Sequence, residues 1–470
     1  MRRLCAKRPF AILCFFGVFF SILGICCIFG EFLFSTDSLY LYRDNIWSLY
    51  GDVSGSLPFS TLNNIDGGFN NLFLQLAPSG LIHLSFDSLL RLLGVNFTGI
   101  LIEKIYFAVL IVLTVNIMLF VSYKFLSKYY SVSTVIAGSI FASFIYMFNP
   151  LAIMNINWAL HFTGYAFLPL VLYLLDRIIE SRQLSYAILL GLVIAFVGPL
   201  PHWLFVYGFV VAVYLLFNIR TFFRNWFKLL PLILVSICVF LGASSYFILP
   251  ALQYSSVQGL LHPDYIVTQD FVDEFSANAD MANNIRLLGK SGYQPGDWDI
   301  EAGEGSPSSS VYPFWLLATF SLPIFASLSL FGRRKKLVLF SFSIFLFSIF
   351  LSGGSNLLGS WYYSLANLPI GWIFRVPTKW LWFAGFSLSF LVGFSVSEVF
   401  SYLRNRQTRF VKIGVVFIAV GVLLAAPSWQ LFTFNATGIT EPVYPPLKEV
   451  DSINRYLEDE GNGSVLWLPF

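Results

Sequence analysis

Acids, a guanidinium group and aromatics crowd one short polar stretch near the N-terminus. Residues 34–71 read FSTDSLYLYRDNIWSLYGDVSGSLPFSTLNNIDGGFNN. Asp37, Asp44, Asp52 and Asp66 lie in it, with Arg43 between the first two. A carboxylate here could act as general base on an acceptor hydroxyl, or hold a divalent cation on a diphosphate. The same groups could equally solvate a loop and cap short helices. Asp52 and Asp66 sit in the Gly-rich turns GDVSG and DGG, where turn chemistry accounts for them. Asp37 comes first after an apolar segment, at the level where a lipid-linked substrate would present its head group.

A second set of candidates is cationic. Arg375 and Lys379 stand four apart within GGSNLLGSWYYSLANLPIGWIFRVPTKW, residues 353–380. Arg grips phosphate by a bidentate fork and Lys as a point charge. Pro377 disrupts regular helix between them, so the spacing need not place both on one helical face. The competing reading is a pair of snorkelling anchors at the end of a membrane span, which Trp372 and Trp380 fit equally well.

Other reactive types carry less. His161 and His202 fall near segment boundaries, and with His83 and His262 they form no metal spacing. Glu103 and Lys104 open an apolar segment and could form an intramembrane ion pair or simply reach water. The five cysteines, Cys5, Cys14, Cys26, Cys27 and Cys238, show neither a disulfide framework nor a CxxC pair. No phosphate loop, GxGxxG, GxSxG or HExxH stands in a suitable context, which argues against nucleotide hydrolysis on this chain.

What must position these residues is a membrane body. The chain is 57% hydrophobic and only 11% charged, where a soluble domain carries about 25% charged residues. Its mean hydropathy is +0.74. A net charge of +3 is too small to imply nucleic acid. Applying a span length of about 20 apolar residues, candidate spans fall near 11–33, 100–121, 132–148, 160–179, 185–199, 201–218, 229–250, 312–331, 337–352, 381–400 and 410–430. The segments 132–148, 185–199 and 337–352 are the shortest of these. Gly198, Pro199 and Pro201 suggest a tight helical hairpin. The first segment is too long for a cleaved signal core, and no A-x-A-like site follows it, so it reads as a signal anchor.

Short-loop lysines and arginines set the orientation. Arg2, Arg3, Lys7 and Arg8 put the N-terminus inside. The alternating count then places Lys124 and Lys128, Arg177 and Arg182, Arg220, Arg224 and Lys228, Arg333 to Lys336, and Arg404, Arg406 and Arg409 inside as well. The outside receives 34–99, 251–311, 353–380 and a tail, 431–470. Three N-x-S/T sequons, at Asn96, Asn435 and Asn462, fall in those outside segments. The segment after Asn71 is amphipathic and reads as interfacial helices. The 251–311 loop has little periodicity, and between Gly289 and Ser310 it reads as an irregular flap. The tail ends in the start of a strand, SVLWLPF, which suggests a truncated soluble domain after a 1–430 membrane domain. The expected fold is therefore an all-α polytopic membrane protein with about eleven spans, N-terminus inside, C-terminus outside, in the cell membrane.

Several stretches together resemble a known group. RDNIWSLYGD…GGFNNLFLQLAPSGLIHLSFDSLLRLLG resembles the first outer loop of large GT-C type glycosyltransferases, most closely the arabinofuranosyltransferase-like membrane proteins of actinobacteria and archaea. FNPLAIMNINWALHFTGYAFLPLVLYLLDR is similar to their NP…GY…LPL span pair, and GWIFRVPTKW to their FR-x-P-x-K loop. The resemblance implies a membrane transferase that takes a sugar from a polyprenyl-phosphate donor to a glycan, glycolipid or protein acceptor. It implies a catalytic acid in the first outer loop, which selects Asp37 with Asp44 in reserve. It also makes Arg375 and Lys379, with Arg43, candidates for the donor phosphate. The first outer loop has no clean D-x-D-like group, which leaves Asp37 against Asp44, and any divalent cation, undecided. The rival readings are a transporter or lipid flippase, which would need polar groups at mid-membrane on broken helices, and a non-catalytic envelope-glycan assembly protein.

Overall fold

The computed structural model describes residues 2–34, 99–155, 159–197, 201–245, 248, 267–277, 279–289, 317–332, 335–368, 371–405 and 410–425. Among them there is helix and no strand. The helices are α1 (Arg2–Phe34), α2 (Gly99–Leu126), α3 (Val132–Phe148), α4 (Pro150–Asn155), α5 (Ala159–Ser181), α6 (Leu184–Val197), α7 (Pro201–Phe217), α8 (Ile219–Arg224) and α9 (Trp226–Ala243). Next come α10 (Gln269–Ser276), α11 (Met281–Ile285), α12 (Ser321–Ser327), α13 (Lys335–Ser352), α14 (Gly354–Leu358), α15 (Ser360–Ala366), α16 (Leu381–Asn405) and α17 (Phe410–Ala425). Each of the apolar segments read from the sequence overlaps one of these helices.

Among the described residues, five stretches are long and apolar enough to cross a membrane: Pro9–Cys26, Phe107–Leu126, Phe162–Ser181, Trp226–Ala243 and Pro377–Arg404. Val132–Phe148, Leu184–Val197, Trp203–Phe217, Leu317–Phe331 and Lys336–Ser352 are apolar but shorter. The outer helices turn apolar side chains away from the protein. Phe227, Leu234 and Leu241 of α9, and Phe10 and Phe15 of α1, are exposed. That composition is compatible with a lipid bilayer.

The bundle is built around α16. It packs against α3, α13, α12, α2 and α5, and most of its side chains are buried, from Leu381 through Val396. The closest of these contacts, with α3, is made by small residues. A side chain on Gly138 would sit 2.6 Å from the carbonyl oxygen of Gly393. Apolar solvent supplies little drive for helices to associate, so close backbone approach and serine hydroxyls do the joining. Ser397 Oγ donates to Gly393 O at 2.9 Å and approaches Thr134 O at 3.3 Å. Ser143 Oγ donates to Val115 O at 2.7 Å and so ties α3 to α2.

The two ends of the bundle differ in character. A helix of 25 residues spans about 37 Å, so the two ends of α16 are far apart. At its C-terminal end Arg404 donates to Ser131 Oγ and Ser133 Oγ, at 2.7 and 2.9 Å. Arg182 reaches Asn225 at 2.9 Å, and Lys336 reaches Asn218 at 2.7 Å. Basic loops far apart in sequence thus gather at one end. At the N-terminal end of α16 lies a rim of short helices, α10, α11, α14 and α15, with two 3₁₀ turns at Gly371–Phe374 and Pro377–Trp380.

The structure corrects several expectations. The 251–311 loop, read as having little periodicity, contains α10 and α11. Local caps account for both: Thr268 Oγ1 accepts from Phe271 N at 3.3 Å, and Asp280 from Asn283 N at 2.7 Å. The 353–380 segment contains the short helices α14 and α15 and two 3₁₀ turns. The segment read as 229–250 begins at Trp226 and leaves regular helix at Ala243. The interfacial helices, the Gly289–Ser310 flap beyond residue 289, the hairpin residues 198–200 and the 431–470 tail lie outside the described residues.

Candidate functional site

The rim is assembled from the two sequence segments that the charge pattern placed on one side. The α10 helix packs on α14 and on the Pro377–Trp380 turn, and α11 packs on α13. Ser276, at the end of α10, is the joint. Its hydroxyl donates to Val272 O at 2.6 Å and accepts from Ser355 N at 3.1 Å, and its carbonyl accepts from Asn356 Nδ2. Asn367 Nδ2 donates to Val267 O at 3.2 Å. Asn284 Nδ2 adds a bond of 3.3 Å to Ile349 O, from α11 to α13.

Arg375 lies in the bend between the two 3₁₀ turns, half-buried, with its guanidinium 5.6 Å from the centre of the Phe271 ring. A planar guanidinium suits such a contact. Lys379 is half-buried in the next turn, which opens with Pro377. The two cations therefore do not share a helical face, as Pro377 implied. The Lys379 backbone N–H donates to Val376 O at 3.2 Å.

Trp380 corrects one part of the anchor reading. It is buried, not placed at an interface. Its ring stacks on Phe374 at 4.8 Å and on Phe383 at 5.6 Å, and meets Phe205, Phe209 and Phe347 edge-on. Its indole N–H points at Tyr362 Oη, 3.3 Å away, and that hydroxyl donates to Phe374 O at 2.7 Å. Burial pushes the Tyr362 phenol far above the ordinary tyrosine range, against the smaller opposing effect of the indole. Tyr362 stays neutral and acts as a brace. The sequence reading did not single out this brace, because its parts stand eighteen residues apart and look like ordinary aromatics.

Asp37, Asp44 and Arg43, with Asp52 and Asp66, lie outside the described residues. So do the side chains of Glu103, Lys104, His161, His202 and Trp372, and the residues His83 and His262. The helices that flank the acidic loop are described. Gly17 and Gly24 of α1 face Asn116 and Ile111 of α2, an antiparallel pairing. Since α2 ends at the basic end, near Lys128, both Phe34 and Gly99 lie toward the rim end. No group of three His, Cys, Asp or Glu that could hold a metal occurs among the described residues.

At the other end, a charged cluster went unnoticed in the sequence. Lys128 Nζ donates to Asp176 at 2.7 Å and to Glu180 at 2.6 Å. Tyr214 donates to the second Asp176 oxygen at 2.5 Å, and Arg177 to the second Glu180 oxygen at 3.1 Å. The signal was a lone acid in the apolar run VLYLLDR, since an ionisable group in such a run needs a partner. Partial burial works to lower the Lys128 pKa. Asp176 and Glu180 outweigh it and hold the ammonium above the ordinary lysine range. The Lys128 ammonium therefore stays charged at neutral pH, and its charge is lost only as pH rises beyond that range. Lys128→Ala would leave the Asp176 carboxylate, 6% exposed, without its cation. The expected loss is about 3 kcal/mol, read as a lowered midpoint of thermal unfolding in detergent. Lys128→Arg should recover part of it.

No family model matches this chain, and no curated protein matches it.

Proposed function

We propose that this chain is an integral membrane glycosyltransferase of the GT-C kind. It moves a sugar from a polyprenyl-phosphate donor to a glycan, glycolipid or protein acceptor at the outer face of the cell membrane. The observation that supports this reading is a shared end. Arg375 and Lys379 are held on the rim, and the helices flanking the loop of Asp37 and Asp44 run to that same end. In this reading Asp37 takes the proton from the acceptor hydroxyl, and the hydroxyl oxygen attacks the anomeric carbon. The bond to the phosphate oxygen breaks, and Arg375, Lys379 and Arg43 meet the charge that develops on the departing polyprenyl phosphate. The membrane spans, about eleven on the sequence count, hold this chemistry at the surface.

The transporter reading asks for charges deep in the spans. The ion pairs of Lys128 with Asp176 and Glu180, and of Arg177 with Glu180, lie at the basic end instead. The test is transfer by the purified full chain, given a panel of polyprenyl-phosphate sugars and a glycan acceptor. Arg375→Ala is expected to lower kcat/KM about 10²-fold, as the loss of one preorganised donor does. Absence of transfer from every donor in the panel would sink the reading.

A further inference from the structure

Trp361 is 81% exposed, although it stands beside Tyr362, the buried brace of the rim. The proposed transfer chemistry has no task for it. Its helix, α15, continues past Ala366: Asn367 N donates to Tyr363 O at 3.1 Å and Leu368 N to Leu365 O at 3.3 Å. The exposed positions are Ser360, Trp361, Ser364, Asn367 and Leu368. That spacing puts them on one helical side, with Tyr362 and Ala366 on the buried one.

The composition of that side differs from two others on this protein. On α10 the exposed side is Gln269, Asp270, Asp273 and Glu274, charged as a side that meets water is. On α9 it includes Leu230, Leu234, Ile237 and Leu241, apolar as a side that meets hydrocarbon is. The α15 side has a large indole and a leucine among two serines and an asparagine, and no charge. It fits a boundary between the two solvents.

Its level in the bundle agrees. Helix α13 begins at the basic end, where Lys336 reaches Asn218. Its 18 residues rise about 27 Å, close to the hydrocarbon thickness of about 30 Å. Ser352 therefore lies one membrane core away from the basic end, and α14 and α15 follow directly. Sideways, α15 joins the lipid-facing surface. Tyr362 donates to Phe374 O, and the Phe374 ring lies 4.4 Å from that of Phe205, an exposed residue of α7.

We propose that α15 is an interfacial anchor whose partner is the head-group layer of the bilayer, with Trp361 as the anchoring residue and Leu368 beside it. An indole is apolar over most of its ring and carries one N–H donor, which suits the level where lipid carbonyls begin. The anchor is tied to the rim by the next residue, since Tyr362 Oη accepts from Trp380 in the turn that carries Lys379. This inference does not rest on the transferase reading, and its test needs no activity.

The experiment uses the full chain in phosphatidylcholine nanodiscs, with 5-fluorotryptophan at its twelve tryptophans. The fluorine resonance missing from Trp361→Phe belongs to Trp361. Trp361→Tyr gives a second assignment, and both variants are checked for the wild-type unfolding midpoint. Three paramagnetic probes are then compared: phosphatidylcholine with a nitroxide on the head group, phosphatidylcholine with a nitroxide at the end of the acyl chain, and a water-soluble gadolinium chelate. The Trp361 resonance should be lost with the head-group nitroxide and should persist with the other two. The resonance of buried Trp380, assigned by Trp380→Phe, should survive all three. Loss of the Trp361 signal to the gadolinium chelate alone would place the indole in water and overturn the proposal. Loss to the acyl-chain nitroxide alone would make α15 an ordinary hydrocarbon face. Survival with every probe would show that protein, such as a second copy of the chain, covers this side instead of lipid.

Discussion

Asp37→Asn is expected to lower the rate of sugar transfer by about 10²–10⁴-fold, the range for removing a general base. The substitution keeps size and shape and removes only the ability to take a proton. Donor affinity should therefore stay close to wild type, because in the proposed mechanism phosphate is held by Arg375, Lys379 and Arg43. The measurement is single-turnover transfer at saturating polyprenyl-phosphate sugar, with donor binding measured in parallel. Asp44→Asn is the paired variant. If Asp37→Asn retains full activity and Asp44→Asn loses it, the base is Asp44. If both transfer normally, the acidic loop is not the source of the base. A loss of donor binding in Asp37→Asn would point instead to a carboxylate that holds a cation on the donor.

Gly354→Ala is expected to be the most damaging substitution on the rim. Gly354 has φ +51°, in the left-handed region, which costs any L side chain roughly 1–2 kcal/mol. Space is also lacking. An added Cβ would lie 2.5 Å from Pro377 Cγ and closer still to Ser276 Oγ. Neither neighbour can yield easily. Ser276 Oγ is bonded on both sides, to Val272 O and Ser355 N, and Pro377 opens the turn that holds Lys379. The added methyl group would push α10 and that turn apart, taking Phe271 away from Arg375. The expected result is a lower unfolding midpoint together with a fall in transfer rate. Gly208→Ala is the control. Nothing lies within 4 Å of an added Cβ there, and alanine in a helix interior is favoured by roughly 0.5–1 kcal/mol. Wild-type stability in Gly354→Ala would show that the rim is softer than its hydrogen bonds imply.

Apolar runs such as 132–148 and 381–400 read correctly as helices, because a long apolar run excludes most alternatives. The rim did not read as clearly. Its helices α10 and α11 are eight and five residues long, too short for a periodic pattern to rise above composition. Their caps, Thr268 and Asp280, were visible but were not used. The sequence leaves Trp380, with Trp372, open to an interface-anchor reading, since a tryptophan near a cation looks the same in sequence whether it meets lipid or packs inside. Its burial follows from Phe374, Phe383 and Phe209 arriving from three different segments.

The sequence by itself determined that the chain is helical and strongly apolar, and that its lysines and arginines concentrate in short loops. Those properties depend on runs and clusters along the chain, which no folding can rearrange. It also marked Asp37, Asp44, Arg375 and Lys379 by residue type and place. Only the tertiary structure decided that 267–289 and 353–380 form one rim and that Asp176 is paired with Lys128, forty-eight residues away. These depend on which helix faces meet, and side chains fixed by contacts across the bundle, such as Ser276 against Gly354 and Gly138 against Gly393, leave no periodic trace in the sequence.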